Sequence, residues 1–398
     1  MPRRHASVAL LLLWLFALLA LTVGISPAFA QGNAPVRRIV VFQPGFADPP
    51  GQANLVRAHG GQPLQDLEIV NGLSVLLPPG AEAALARRAE VLRVEDDPEV
   101  HALVPGQGKG PKPPPPPPPA QVLPWGVNRI DADYAWSVTR GAGINVAVID
   151  TGIDADHPDL AANVKGGINY VASRGRINPS AWDDDNGHGS HVAGIIGALD
   201  NTIGVVGVAP QCSLYALKVL NKSGMGYTSD VIAAIQWAVS NGMDIATMSL
   251  GSNSASLAEQ QACDTAAAAG LILVAAAGND GKDVDYPGAY SSVIAVAATD
   301  SSNQVASWSS PGPEVDIAAP GVSIYSCYKN GGYATLSGTS MATPHVTGTL
   351  ALVLAAGRSP NLCLSADDLP PAGVDIYTGC GLVDAGEAVT GIANYGNN

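Results

Sequence analysis

Charge is scarce in this chain: only 14% of its 398 residues are Asp, Glu, Lys or Arg, and 20 basic residues face 34 acidic ones, for a net charge of -14. So few lysines and arginines give a phosphate backbone nothing to bind, which excludes nucleic acid as a partner. Aromatic residues make up 5%, too few for a large carbohydrate-stacking surface. The five cysteines, Cys212, Cys263, Cys327, Cys363 and Cys380, lack metal-ligand spacing, so no thiolate metal site is expected. The longest apolar run, Val8 to Leu21, falls short of the roughly 20 residues a membrane-spanning helix needs.

What remains is a chain that is 47% hydrophobic with 45 glycines and Ala-rich runs, which fits helices packed closely on a sheet. Its length allows two or three domains. Residues 1–30 read as a secretory signal peptide: Met1-Pro-Arg-Arg-His is basic, the apolar run follows, and Ala28-Phe-Ala30 places small residues before Gln31. After its removal no membrane association is expected. Export permits disulfides. An odd cysteine count leaves at least one thiol unpaired, and Cys363 with Cys380, which bracket a Pro/Gly/Asp-rich loop, is the favoured pair.

From Val36 to Leu103 the pattern predicts a strand (Arg38–Phe42), a helix (Gly51–His59), a strand or strand pair (Glu68–Val70 and Leu73–Leu77), a helix (Ala81–Arg88) and a strand (Val91–Val94). That is the order of a small ferredoxin-like α+β unit. Residues 106–120, with seven consecutive prolines, read as an extended, semi-rigid spacer. From Gln121 onward, aliphatic runs at Ile144–Ile149, Leu214–Leu220, Asp244–Leu250, Leu271–Ala276 and Val293–Ala297 alternate with helical stretches such as Ser229–Ser240 and Ser256–Ala269. This alternation predicts an α/β fold, a largely parallel sheet with helices on both faces.

Four short motifs carry chemistry. Val146-Ala-Val-Ile-Asp150 puts a carboxylate at the carboxyl end of a buried strand, and Asn186-Gly-His188-Gly-Ser-His191 opens a helix with an imidazole. Ala276-Ala277-Gly278-Asn279 supplies an amide after a second buried strand, and Gly338-Thr-Ser340-Met-Ala-Thr-Pro-His345 presents a hydroxyl where a helix begins. Serine there is by itself an ordinary N-cap. With a base it becomes a nucleophile: His188 would take the Ser340 proton, and Asp150 would hold the other ring nitrogen and stabilise the imidazolium. Asn279 and the Ser340 N–H would donate to the tetrahedral oxyanion. His191 and His345, inside apolar helix patterns, read as packed residues, and Asp154 and Asp156 as caps or solvent-facing groups.

These motifs, in the chain order Asp, His, Ser, resemble the subtilisin-like serine proteases from about Gln121 to Val389. The resemblance implies a secreted serine endopeptidase acting on proteins or peptides through an acyl-enzyme, with catalytic domain 121–398 and residues 31–105 a propeptide that serves as folding chaperone and inhibitor. A non-catalytic binding protein and an esterase are the rival readings. The intact quartet argues against the first and a strand-like peptide groove against the second. Substrate would pair with Ser249-Leu250-Gly251 and with Ala276-Ala277-Gly278, whose small residues imply an apolar pocket with an unread floor. The loop Leu199-Asp-Asn201-Thr-Ile203-Gly-Val205 resembles the family's calcium loop. Gln121 and Asp159 fall on its remaining ligand positions, so a structural Ca2+ bound by Gln121, Asp159, Leu199, Asn201, Ile203 and Val205 is implied. The resemblance also implies a cis Tyr286–Pro287 bond, and the family usually carries a helix where Arg358–Cys380 here is short and Pro/Asp-rich. A monomer is expected. A propeptide tail must lie in the groove to inhibit, and Leu103 is the last side chain before the spacer that suits an apolar pocket, so self-cleavage after Leu103 is expected.

Overall fold

The structure, a computed structural model, describes residues 34–103, 118–173 and 176–392. The signal-peptide reading of 1–30 and all but the last three residues of the spacer lie outside them. The N-terminal unit is a four-stranded antiparallel sheet of β1 (Val36–Phe42), β2 (Gln62–Leu67), β3 (Gly72–Leu77) and β4 (Val91–Asp96) in the order β2-β3-β1-β4, with helices α1 (Pro49–Ala58) and α2 (Ala81–Leu85). This is the anticipated ferredoxin-like order with one element moved. Glu68–Val70 is a single 3-10 turn, and the strand lies before it, at Gln62–Leu67. Pro63 hides that strand in the sequence; here it sits on a sheet edge at a register shift, where a missing N–H is tolerated.

After β5 (Glu99–Ala102) comes a seven-stranded, wholly parallel sheet. Its strands are β6 (Asn145–Asp150), β7 (Val164–Asn169), β8 (Ser213–Lys218), β10 (Ile245–Met248), β12 (Ile272–Ala276), β13 (Ile294–Thr299) and β14 (Val315–Pro320), ordered β14-β13-β12-β10-β6-β8-β7. The inner strands are continuous buried aliphatic runs, as a sheet covered on both faces requires. The two edges went unpredicted because Val164-Lys-Gly-Gly and Val315-Asp-Ile-Ala-Ala-Pro carry residues only an edge tolerates. Helix α3 (His188–Gly197) and the long α6 (Thr339–Ala355) pack together against one side of the sheet; α4 (Thr228–Ser240) and α5 (Leu257–Ala268) pack together over its other apolar cluster.

The N-terminal unit docks on α4 and α5. Ile39, Val41, Leu67 and Val70 form one buried cluster with Ile232, Ala233, Ala258 and Ala262. Polar contacts at the two helix starts fix the register: Asp97 accepts from Ser229 N and Oγ at 2.9 and 2.8 Å, and Glu95 Oε2 accepts from Leu257 N at 2.9 Å. Cys363 and Cys380 form the favoured disulfide, the other three thiols are buried and free, and Tyr286–Pro287 is cis. Arg358–Cys380 holds only a 3-10 turn at Leu362–Leu364, so the helix implied by the family is replaced by irregular chain. Among the described residues no helix is long and apolar enough to cross a membrane.

Candidate active site

Three sequence-distant elements end at one edge of the parallel sheet. Asp150 closes β6, His188 opens α3, and Ser340 is the second residue of α6. Gly187, at φ 110°, makes the turn into α3, and a Cβ there would stand 2.3 Å from the Tyr328 ring. His188 Nδ1 lies 2.8 and 2.9 Å from the two Asp150 carboxylate oxygens, both side chains essentially without solvent exposure. Two acceptors at Nδ1 place the imidazole proton there and leave a lone pair on Nε2. Nε2 is buried and has no hydrogen-bond partner among the described residues.

The Ser340 hydroxyl is turned elsewhere than expected. Oγ donates to Ser249 O at 3.0 Å, while Ser249 Oγ donates to Ser340 O at 2.9 Å. A hydroxyl has one proton to give, and in this arrangement Ser249 takes it; a turn of the side chain is needed to offer it to His188. Asn279 is held firmly. Its Oδ1 accepts from Thr339 N and Thr339 Oγ1, each at 2.9 Å, so Nδ2 must face the cleft. There it donates to Leu103 O at 2.5 Å.

Leu103 ends a segment of the chain's own N-terminal unit that lies across the cleft as a strand. β5 pairs antiparallel with β9 (Met225–Tyr227) on one side and β11 (Leu250–Gly251) on the other. Ala102 N donates to Gly224 O at 2.9 Å and Leu103 N to Ser249 O at 3.4 Å. Ser249, Leu250 and Gly251 thus meet the chain's own strand. Ala276 and Ala277 do not pair with it: both are buried, and Ala277 bonds Val296 O and Asp285 N instead. The second pairing strand is Met225–Tyr227, which the sequence reading missed. Its signal was Gly224 and Gly226 between a buried strand and a helix, the usual mark of close backbone approach; a Cβ at Gly226 would meet Val219 O at 2.2 Å.

The floor that the sequence left unread carries an acid. Leu103 Cδ1 rests against Gly251, and the carboxylate of Asp285 stands beside Gly251 and Gly278. His191 and His345 are packed residues, as read. His191 Nε2 faces the Ile324 and Ala334 carbonyls, and burial pushes its pKa down to about 3. His345 Nδ1 faces Met341 O, and burial lowers it to about 4.

The six residues read as calcium ligands come together in one loop. Asp159, fully buried, accepts from Asn201 Nδ2 at 2.7 Å, Val205 N at 2.9 Å and Tyr333 Oη at 3.3 Å. Leu199 N donates to Asp159 O at 2.9 Å, and Gln121 Oε1 accepts from Asn201 N at 2.8 Å. Among the described residues there is no cluster of three or more His, Cys, Asp or Glu fit for a metal. This loop is a different kind of set, one carboxylate with amide and carbonyl oxygens, which suits a hard cation such as Ca2+.

Residues 141–369 match the subtilase family. The chain is 40% identical over 358 residues to subtilisin E of Bacillus subtilis (strain 168), covering 86% of this chain and 88% of that one. It is 47% identical over 277 residues to subtilisin DY of Bacillus licheniformis (67% and 98%) and 44% over 292 residues to M-protease of Shouchella clausii (strain KSM-K16) (73% and 70%). The chain therefore belongs to the subtilase family. It is a serine endopeptidase.

Proposed function

We propose that peptide hydrolysis runs through Asp150, His188 and Ser340 with Asn279 as oxyanion donor, in an exported precursor that cuts itself after Leu103. The observation that carries this reading is the chain's own strand in the cleft, with the Leu103 carbonyl 2.5 Å from Asn279 Nδ2 and with Leu103 N and Ser340 Oγ both donating to Ser249 O. In the reaction Ser340 Oγ passes its proton to His188 Nε2 and attacks that carbonyl carbon. The oxyanion takes hydrogen bonds from Asn279 and from the Ser340 N–H at the helix start, while Asp150 stabilises the imidazolium. His188 returns the proton to the leaving amine, the peptide bond breaks, and water then releases the acyl-enzyme with His188 again as base.

Until it leaves, the Glu99–Leu103 strand fills the groove and inhibits. Residues 31–105 thus act as propeptide, with 121–398 as the catalytic domain and protein or peptide chains as substrates. Residues around Gln121 are already docked: Ala120 and Val122 bridge to Ile203 and Val205, so the Pro-rich spacer joins the cleft to a finished N-terminal seat. Beside that seat, Gln121, Asp159 and Asn201 side chains and the Leu199, Ile203 and Val205 carbonyls would hold Ca2+. Bound there, the ion would supply positive charge that ties the loop.

N-terminal sequencing tests the self-cleavage. The wild type should start at Val104, or be trimmed towards Gln121, while Ser340→Ala should accumulate uncut from Gln31. A wild-type start upstream of His101, or normal processing of Ser340→Ala in a protease-free host, would sink the proposal.

A further inference from the structure

One buried acid has no task in this scheme. Asp285 is 6% exposed, and no hydrogen bond or ion pair reaches its carboxylate among the described residues. Only its backbone is engaged, N donating to Ala277 O at 2.8 Å. The residue is largely buried, but its oxygens are left to solvent rather than to protein donors, so a ligand's cation can take that place.

That position is the floor of the cleft. A Cβ at Gly251 would lie 3.0 Å from Leu103 Cδ1 and 3.1 Å from Asp285 Oδ2, so the leucine and the acid face each other across one side-chain position. A Cβ at Gly278, on the opposite wall, would lie 2.9 Å from the same Asp285 oxygen and 2.6 Å from Ser310 Oγ. The missing side chains at both glycines leave the carboxylate in view of whatever occupies the Leu103 position. Asp285 also borders a cavity of about 390 Å³ whose lining includes Asp280, Asp283 and Glu314. Lys282 lines it too, but its Nζ lies 3.2 Å from Asp280 Oδ2, and that pair leaves Asp285 without a cation.

Building on the function proposed above, we infer that Asp285 makes this pocket a receptor for cationic side chains, so that the enzyme cleaves after lysine or arginine. The aliphatic stem would lie where Leu103 lies, between the Gly251 and Gly278 walls, and the charged head would reach the carboxylate. Leucine remains acceptable because its body fits the walls, yet it leaves the acid unpaired. The chain's own tail is then a weaker occupant than a basic substrate, which favours its release.

The charge state of Asp285 sets the pH range of this preference. Asp280, Lys282, Asp283, Tyr286 and Glu314 line the cavity it borders, and Ser310 shares the Gly278 wall with it. Burial, and then the negative charge of Asp280, push its pKa up to about 6. The carboxylate that attracts a cation is present above that value and is lost as pH falls through it, while a lysine substrate stays charged throughout.

The experiment compares matched peptides differing only before the scissile bond, with Leu, Lys, Arg or Glu there. Processed enzyme is titrated with a fluorophosphonate so that only active Ser340 is counted. At pH 8 the Lys-to-Leu ratio of kcat/KM should fall about tenfold or more in Asp285→Asn, and likewise in Asp285→Ser, with the Glu peptide the slowest for the wild type. In the wild type the same ratio should drop between pH 8 and pH 5; steps common to both peptides cancel in it, and this arm stands even if a variant does not fold. A labelled, active enzyme whose ratio moves with neither substitution nor pH overturns the inference alone. A wild type that takes no label at Ser340 overturns the triad reading and this inference with it.

Discussion

Two buried aspartates, one at the start of the His188 helix and one beside the Leu103 position, are treated in opposite ways. Asp184, beneath the His188 helix, accepts from Thr151 Oγ1, Asn186 N, Gly187 N, Ser190 N and Ser190 Oγ, all between 2.7 and 2.9 Å. Through Thr151 Oγ1, which itself accepts from Gly189 N at 2.9 Å, it ties the end of β6 to the start of α3, the two places that carry Asp150 and His188. Asp285, at the pocket end, accepts nothing. The difference separates what must be rigid from what must receive: donors and acceptors around the reacting atoms are paired before substrate arrives, and unpaired groups remain where substrate is to supply the partner. His188 Nε2 belongs with Asp285 in this respect, being buried and unpartnered until a hydroxyl proton is offered to it.

The sharpest way to break this comparison is to remove an aimed donor from the paired end. Asn279 is oriented by Thr339 and meets charge that exists only in the transition state, so Asn279→Ala should lower kcat with KM nearly unchanged. The expected loss is about 10²–10³-fold, a size already known for such a donor within this family. Steady-state kinetics on a peptide ester or anilide decide it. A matched rise in KM with kcat preserved would show that Asn279 binds the ground state and is no oxyanion donor.

The paired end was legible in the sequence and the receiving end was not, for a physical reason. Asp150, His188 and Ser340 each sit where a few neighbouring residues decide the local geometry, the last residue of an aliphatic strand or the first turn of a helix behind a glycine, and Asn279 follows the strand Ile272–Ala276 by three residues. Central strands were equally plain, since burial on both faces demands continuous aliphatic runs. The edges Val164–Asn169 and Val315–Pro320 were not, because an edge admits Lys, Gly, Asp and Pro. Met225–Tyr227 is a strand only because β5 pairs with it, a contact between parts of the chain far apart in sequence. The floor of the pocket failed in the same way: Asp285 becomes a pocket residue only when Gly251, Gly278 and Leu103 converge on it, and no local pattern announces that.

The calcium loop offers a milder test, because Asp159 is also buried yet already paired, like Asp184. If the ion binds only the folded loop, stabilisation follows RT ln(1 + [L]/Kd), about 2.7 kcal/mol at a hundredfold excess over Kd. Chelation should therefore lower Tm and speed autolysis, and restored Ca2+ should reverse both, with Mg2+ a poor substitute. Unchanged Tm and autolysis on chelation would reduce the loop to a well-bonded turn.

The smallest expected effect comes from a buried carboxylate with only one of its two oxygens bonded. Glu259, in the first turn of α5, is buried, its Oε1 has no partner, and its Oε2 lies 3.2 Å from Tyr290 Oη. Burial, more than the charges of Asp97 and Glu95, pushes its pKa up to about 8 from the ordinary 4.5, against the Tyr290 hydrogen bond. A carboxyl raised in the folded state contributes stability that is fully present below its unfolded value and is lost as pH rises through about 8. Glutamine mimics the protonated form and cannot ionise. In a Ser340→Ala background, where the chain stays whole, Glu259→Gln should match the parent Tm at pH 5 and exceed it by a few degrees at pH 9. Equal melting at both pH values would mean that Glu259 finds a partner when it ionises, and that an unpaired buried acid in this fold does not by itself mark a receiving site.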